Sequence, residues 1–114
     1  MNVNILGTDY KIIIDSSDNP EMNDKSGYCY PDAKEIHIQD LEDDEEWKNE
    51  PPEIRKHRTN IILRHEITHA FLIESGLRQN SAKVNAWALN EEMVDWIAVQ
   101  FPKMLKAFKD VGCI

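Results

Sequence analysis

Residues 61–73 read IILRHEITHAFLI, and this stretch decides how the rest of the chain is interpreted. Apolar side chains occupy nearly every direction around a helix axis here, which indicates a helix packed in the centre of a fold. The segment 51–53, Pro-Pro-Glu, favours a helix start, because proline is tolerated in the first turn and an acidic side chain complements the helix dipole. Gly76 favours a helix end. We therefore predict one long helix from Pro51 to Ser75.

Two histidines with a glutamate between them lie inside this helix. Residues four apart share one helix face, so the imidazoles of His65 and His69 project towards one point and can share a zinc ion. Glu66 is rotated by about 100° from His65, which places its carboxylate beside such a metal, where it can accept a proton from a bound water. The alternative is a hydrogen-bonded pair of core histidines without a metal.

A catalytic zinc ion usually has three protein ligands and an open position, so a third ligand is expected elsewhere in the chain. Residues 90–95, Asn-Glu-Glu-Met-Val-Asp, are the obvious place. Glu91 and Asp95 are four apart and share a helix face. Glu92, three residues from Asp95, is the alternative ligand to Glu91.

These acidic residues lie on a second predicted helix, from about Ala82 to Gln100. A turn over Leu77 to Ser81 folds the two helices into a hairpin and brings their middles together. Pro102 is expected to break the second helix, and Lys103 to Asp110 is predicted to form a short closing helix.

The first third of the chain is predicted to form two β-hairpins joined by a polar loop. Apolar residues alternate with polar ones over residues 3–14, around the turn signal Gly7-Thr8-Asp9. Residues 28–38 alternate in the same way on either side of a proline-led turn at Pro31. The intervening segment, Ser16 to Ser26, is polar and is interpreted as the loop.

The strand that leaves the second turn, Lys34 to Ile38, has a clear two-residue period. Ile36 and Ile38 are expected to face the core. His37 then points to the other side and is interpreted as a surface residue.

Length and charge limit the class of protein. With 114 residues the chain fits a single domain, 1–114, and its net charge of −8 argues against a nucleic-acid partner, because phosphate contacts need a basic face. Neither a signal peptide nor an apolar span long enough for a membrane is visible. Cys29 and Cys113 match no disulfide or zinc-binding pattern, so a reducing cytoplasm is the expected location.

The order His-Glu-x-x-His, then Asn-Glu-x-x-x-Asp on the next helix, resembles the pattern of gluzincins, the thermolysin-like zinc peptidases. In that family the glutamate of the second motif binds zinc and the aspartate hydrogen-bonds the first histidine. The resemblance, which covers about residues 61–98, implies Glu91 as third zinc ligand. It also implies that Asp95 orients His65.

In size and order of elements the chain is more similar to the ImmA/IrrE-like group, minimal zinc peptidases of phages and mobile elements. That resemblance implies an α+β, minimal zincin-like fold: a small N-terminal sheet of two hairpins, a central motif helix, a second helix with the third ligand, and a short C-terminal helix. Members of the group act on, or are linked to, transcriptional repressors. The resemblance therefore suggests a repressor as protein substrate.

The implied function is zinc-dependent hydrolysis of a peptide bond in a protein or peptide substrate, with Glu66 activating a water on the zinc. Zincin substrates commonly pair with the sheet edge above the motif helix, and Lys34 to Ile38 is the expected edge. The oxyanion stabiliser of larger gluzincins has no motif-placed counterpart, and Tyr28, Tyr30 and His57 are the candidates. The alternative function is a catalytically weak or inactive binding module that holds a partner protein.

Overall fold

The computed structural model of the protein describes residues 1–78, 90–110 and 113–114. Within these ranges the elements are, in chain order, β1 (Asn2–Ile5), β2 (Thr8–Asp15), β3 (Gly27–Tyr30), β4 (Glu35–Gln39), α1 (Pro52–Glu74) and α2 (Glu91–Asp110). The architecture is α+β, as predicted, with a sheet from the first third of the chain and helices after it. Neither of these helices is long and apolar enough to cross a membrane.

The four strands form one mixed sheet in the order β1-β2-β4-β3. Both predicted hairpins are present as antiparallel pairs, β1 with β2 and β3 with β4. A parallel pairing of β2 with β4, in which Ile12 lies opposite Ile36, joins them into one sheet. The prediction that Lys34 to Ile38 forms a sheet edge is therefore wrong, because the apolar end of β2 pairs with this strand, and the edges of the sheet are β1 and β3.

The core lies between one face of the sheet and the helices. Ile36 and Ile38 face it, as predicted, and are almost completely buried. They pack with buried side chains from the first hairpin, from the segment after β4 and from α1: Ile5, Tyr10, Leu41, Ile62 and Ala70. The sheet is thus held against α1, the helix that contains the two histidines.

His37 is not a surface residue, and the prediction for it is wrong. Its side chain lies on the other face of the sheet, as the alternation implies, but it is only 8% exposed. Its Nδ1 lies 2.5 Å from Oδ2 of Asp15 and its Nε2 lies 3.0 Å from Oε2 of Glu35. The ring of Tyr28 stacks on the imidazole at 4.4 Å. Neighbours on β2, on β3 and on β4 itself therefore cover a residue that the local pattern alone leaves exposed.

Helix α1 has the predicted boundaries within one residue. Pro51 precedes it, Ser75 caps its end, and Gly76 follows in a left-handed conformation with φ of 85°. The last turn is tied to the sheet by Glu74, which accepts hydrogen bonds from Nζ of Lys34 at 2.6 Å and from the hydroxyl of Tyr10 at 2.7 Å. The bond from Lys34 lowers the pKa of Glu74, while burial raises that of Tyr10. These contacts fix the direction of α1 across the sheet.

Helix α2 runs without a break from Glu91 to Asp110, so the predicted break at Pro102 and the separate closing helix are wrong. Proline lacks the N–H that would bond the carbonyl four residues earlier, that of Ala98. Nε of Arg64 on α1 donates to this carbonyl at 2.6 Å and replaces the missing bond. The predicted helix residues Ala82 to Leu89 lie outside the described residues.

Candidate metal centre

The imidazoles of His65 and His69 converge on the face of α1 that is turned towards α2. Their Nε2 atoms lie 3.1 Å apart. With Glu66 they form a group of potential metal ligands whose donor atoms all lie within 4.8 Å of one another. His69 and Glu66 are buried, and His65 is partly buried. The spacing in the sequence thus produces the predicted convergence, one turn apart on one helix.

Glu91, in the first turn of α2, contacts both histidines. Its Oε2 lies 2.9 Å from Nε2 of His65, and its Oε1 lies 3.3 Å from Nε2 of His69. In a tetrahedral zinc site with bonds of about 2.0–2.1 Å, the ligand atoms are about 3.3–3.4 Å apart. The two nitrogens and the carboxylate therefore fit one zinc ion after small adjustments. Glu92 is an exposed residue in the same turn.

Asp95 holds His65 from the side opposite to Glu91. Its Oδ1 lies 2.6 Å from Nδ1 of His65. A carboxylate at this atom keeps the proton on Nδ1, so the lone pair of Nε2 is directed at the centre. This contact is the one that the predicted role of Asp95, orienting the imidazole of His65, requires.

Asn90 places Glu91 at the start of α2. Its side-chain Oδ1 accepts a hydrogen bond from the backbone N–H of Met93 at 2.8 Å, which is a helix N-cap. Because the cap fixes where the helix begins, it also fixes Glu91 in the first turn. Acidic side chains in that turn complement the helix dipole. The asparagine of the motif thus has a structural role next to the two acidic residues.

Glu66 is buried beside the two histidines and Glu91. Its Oε1 is 3.9 Å from Nε2 of His65, and the residue is 5% exposed. Burial raises the pKa of Glu66 from 4.5 to about 7, the charge of His65 opposes this rise, and that of Glu91 adds to it. A base acts best when its pKa lies near the working pH, so this carboxylate is suited to proton transfer near neutrality.

Gly27, at the start of β3, makes room for Glu66. A Cβ atom at this position would lie 3.2 Å from Cγ and Oε1 of Glu66 and 2.7 Å from the backbone oxygen of His37. The sequence interpretation did not include this residue among the site residues. A glycine inside a strand often marks the close approach of another group, and this signal could have found it.

Gly27→Ala is expected to destabilise the protein by about 1–3 kcal/mol, because the added methyl group clashes with the backbone oxygen of His37 on β4 and crowds Glu66 on α1. The free energy of unfolding in urea measures the effect. Gly7→Ala is the comparison, since its methyl group meets open space and only the backbone, with φ of 91°, is strained. An unchanged stability of Gly27→Ala would contradict the tight approach of β3 to Glu66.

A cleft between the edge strand β3 and α1 contains the centre. Two cavities meet at His65, Glu66 and Glu91, one of about 250 Å³ and one of about 580 Å³. Of the candidate oxyanion stabilisers, Tyr28 and Tyr30 both line the larger cavity, the former with its ring stacked on His37, while His57 is exposed on α1 and lines neither cavity.

Comparisons of the chain with protein-family models, curated proteins and solved structures gave no match. The class of protein therefore has to be inferred from the geometry of the centre. Five polar side chains from two helices meet at one point of an open cleft: His65, Glu66, His69, Glu91 and Asp95.

Proposed function

We propose that the chain is a zinc-dependent peptidase with a minimal zincin-like fold. The observation that carries the proposal is the position of the Glu91 carboxylate against Nε2 of both His65 and His69, while Asp95 occupies Nδ1 of His65. Both ring nitrogens of His65 face carboxylates, and a neutral imidazole that donates its Nδ1 proton to Asp95 has no proton on Nε2 for Glu91. A divalent cation there would receive three donors at once and offset the negative charges of Glu91 and Asp95.

In this proposal the zinc is held by His65, His69 and Glu91, and Asp95 orients His65. When bound, zinc polarises water and the carbonyl oxygen of the substrate. Glu66 accepts the proton of the attacking water and passes it to the leaving amine, a role that its buried position next to His65 suits.

The edge strand β3 is the proposed binding site for the peptide. Among the described strands β3 pairs with β4 alone, so its other side can pair with an extended chain. This strand borders the cleft beside Glu66, in the place that the sequence interpretation assigned to Lys34 to Ile38. A peptide added to β3 would run past the three proposed ligands.

Glu66 favours hydrolysis over the alternative of a binding module that holds a partner protein. A module that used zinc only for structure would need His65, His69 and Glu91. It would not need a buried carboxylate next to them, which lowers stability because burial disfavours the charged form. The position of Glu66 is accounted for when it acts as a base.

The ligand assignment predicts the metal content of single variants. Protein purified without added metal is expected to contain about one zinc per chain, and His69→Ala and Glu91→Ala are expected to lose it, because each removes one of three donors. Elemental analysis and a competition titration with a zinc chelator measure occupancy and affinity. Glu92→Ala is the matched control and should retain the metal.

Full zinc occupancy in Glu91→Ala would contradict the assignment and point to Glu92 or Asp95. A native chain that binds no zinc in the titration would contradict the centre as a whole. The zinc-loaded chain is then screened against peptides and against transcriptional repressors, the substrate class that the resemblance suggests. Zinc binding without any cleavage would favour the binding module.

A further inference from the structure

The smaller cavity at the centre extends away from the metal ligands towards Arg58, and we name it the Arg58 pocket. It has a volume of about 250 Å³. One wall is formed by residues 25–27, and the other by Arg58 and Ile62 of α1. Its inner end opens onto the centre, so a side chain placed in the pocket would belong to a residue close to the bond that reacts.

Arg58 lies two turns before His65 on the same face of α1, which is about 10 Å along the helix axis. Its guanidinium lies over the ring of Trp47, 5.7 Å from the ring centroid, and this cation–π contact orients it. Nε of Arg58 is buried and has no hydrogen-bond partner within the part of the chain that the structure describes. A buried donor without an acceptor costs about 1–3 kcal/mol, so a turn of the guanidinium that brings this N–H to an acceptor in the pocket would relieve the cost.

Two cations line the pocket. Arg58 stands at its outer end, while Lys25, on the opposite wall, is exposed and its positive charge acts on Glu66. The carboxylates that line the pocket are at its inner end, where Glu91 and Asp95 contact His65 and Glu66 packs against Gly27. Arg58 is therefore the cation that a ligand at the outer end meets, in a chain whose net charge is −8.

We infer that the Arg58 pocket binds a carboxylate of the peptide substrate, within about three residues of the bond that is cleaved. The distance follows from the roughly 10 Å between Arg58 and His65, since an extended peptide advances about 3.3 Å per residue. The inference rests on the proposed peptidase function. The carboxylate is either an Asp or Glu side chain or the free C-terminus of the peptide, because a guanidinium binds both in the same way.

The test uses pairs of peptides that differ only in one carboxylate. One arm compares Glu with Gln at each position within three residues of the cleaved bond, and a second arm compares a free C-terminus with its amide. In the native chain we expect kcat/KM to be about tenfold higher for the carboxylate member of one arm. In Arg58→Met, which keeps an unbranched chain over Trp47, this ratio is expected to fall to about one.

Two further variants sharpen the test. Lys56→Met removes a positive charge from an exposed residue of α1 and should keep the ratio of the native chain. Arg58→Glu is expected to reverse the preference, so that Lys replaces Glu as the favoured residue at the same position. Equal kcat/KM values for both members of every pair in the native chain, or an unchanged ratio in Arg58→Met, would overturn the inference.

Binding to a zinc-loaded Glu66→Gln chain separates this inference from the proposed function. The same peptide pairs are titrated by calorimetry, and Kd is expected to be about tenfold lower for the carboxylate member, with the difference lost when Arg58→Met is added. Such a difference without cleavage by the native chain would leave the inference standing and overturn the peptidase function. Cleavage by the native chain, together with equal Kd values for both members of each pair, would overturn the inference and leave the peptidase function standing.

Discussion

Glu66→Gln is expected to lower kcat/KM for peptide hydrolysis by about 10²–10⁴-fold, because the amide cannot accept a proton from the attacking water. Zinc content is expected to stay at the native level, since Glu66 is not one of the three proposed ligands. The amide fills nearly the same volume beside Gly27, so the fold should be kept. Steady-state kinetics and elemental analysis on the same protein samples measure both quantities.

Glu53→Gln is the matched control for this experiment. It makes the same chemical change at an exposed residue in the first turn of α1, far along the helix from the centre, and is expected to keep the native rate. Cleavage by Glu66→Gln at the native rate would end the proposal that this carboxylate is the base. Loss of zinc together with loss of activity would instead make Glu66 a ligand.

Glu66→Gln is also expected to stabilise the metal-free protein at pH 8 by about 3 kcal/mol and to have little effect on its stability at pH 4. The folded protein raises the pKa of Glu66 from 4.5 to about 7. Below pH 4.5 the carboxyl group is neutral in both the folded and the unfolded chain, so its burial carries no charge penalty. As the pH rises from 4.5 through 7, the folded state loses stability because the charged form is disfavoured there.

Urea unfolding of the native chain and of Glu66→Gln, in the presence of a zinc chelator and at a series of pH values, measures this difference. Glutamine resembles the protonated carboxyl group, so the variant should not show the loss between pH 4.5 and 7. In zinc-loaded protein the difference should be smaller, because the nearby dication attracts the carboxylate. A difference that does not change with pH would contradict burial as the cause.

Local signals in the sequence were enough for the helix with the two histidines and for both hairpins. Prolines before α1 and Gly76 after it mark the ends of that helix, and these signals act within one turn. The arrangement of the hairpins depends on the pairing of β2 with β4, which are distant in the chain, so β4 was wrongly expected at an edge. The burial of His37 and the continuation of α2 through Pro102 likewise depend on side chains from other parts of the chain, such as Asp15 and Arg64.

In the candidate site too, the features set by spacing within one helix could be predicted, and those set by tertiary contacts could not. Spacing along α1 accounts for His65, Glu66 and His69, and the four-residue spacing on α2 accounts for Glu91 and Asp95 sharing a face. Arg58 could have been found by counting back along the face of His65, but nothing in the local sequence shows that Trp47 covers its guanidinium. The close approach of Gly27 to Glu66 also joins segments far apart in sequence. Which side chains meet across the cleft is a property of the tertiary structure.

The bond between Arg64 and the carbonyl of Ala98 has a consequence for how the two helices align. In an unbroken helix every interior carbonyl is bonded to an N–H of the next turn, so a neighbouring helix is aligned by side-chain packing and not by bonds to these carbonyls. Pro102 leaves one interior acceptor open, and Arg64 is the chain neighbour of His65. The alignment that satisfies Arg64 therefore also sets Glu91 and Asp95 opposite the histidines. Pro102 thus contributes to the alignment of α2 on α1, and in the proposed zinc centre this alignment would hold Glu91 against the two histidines before the ion binds.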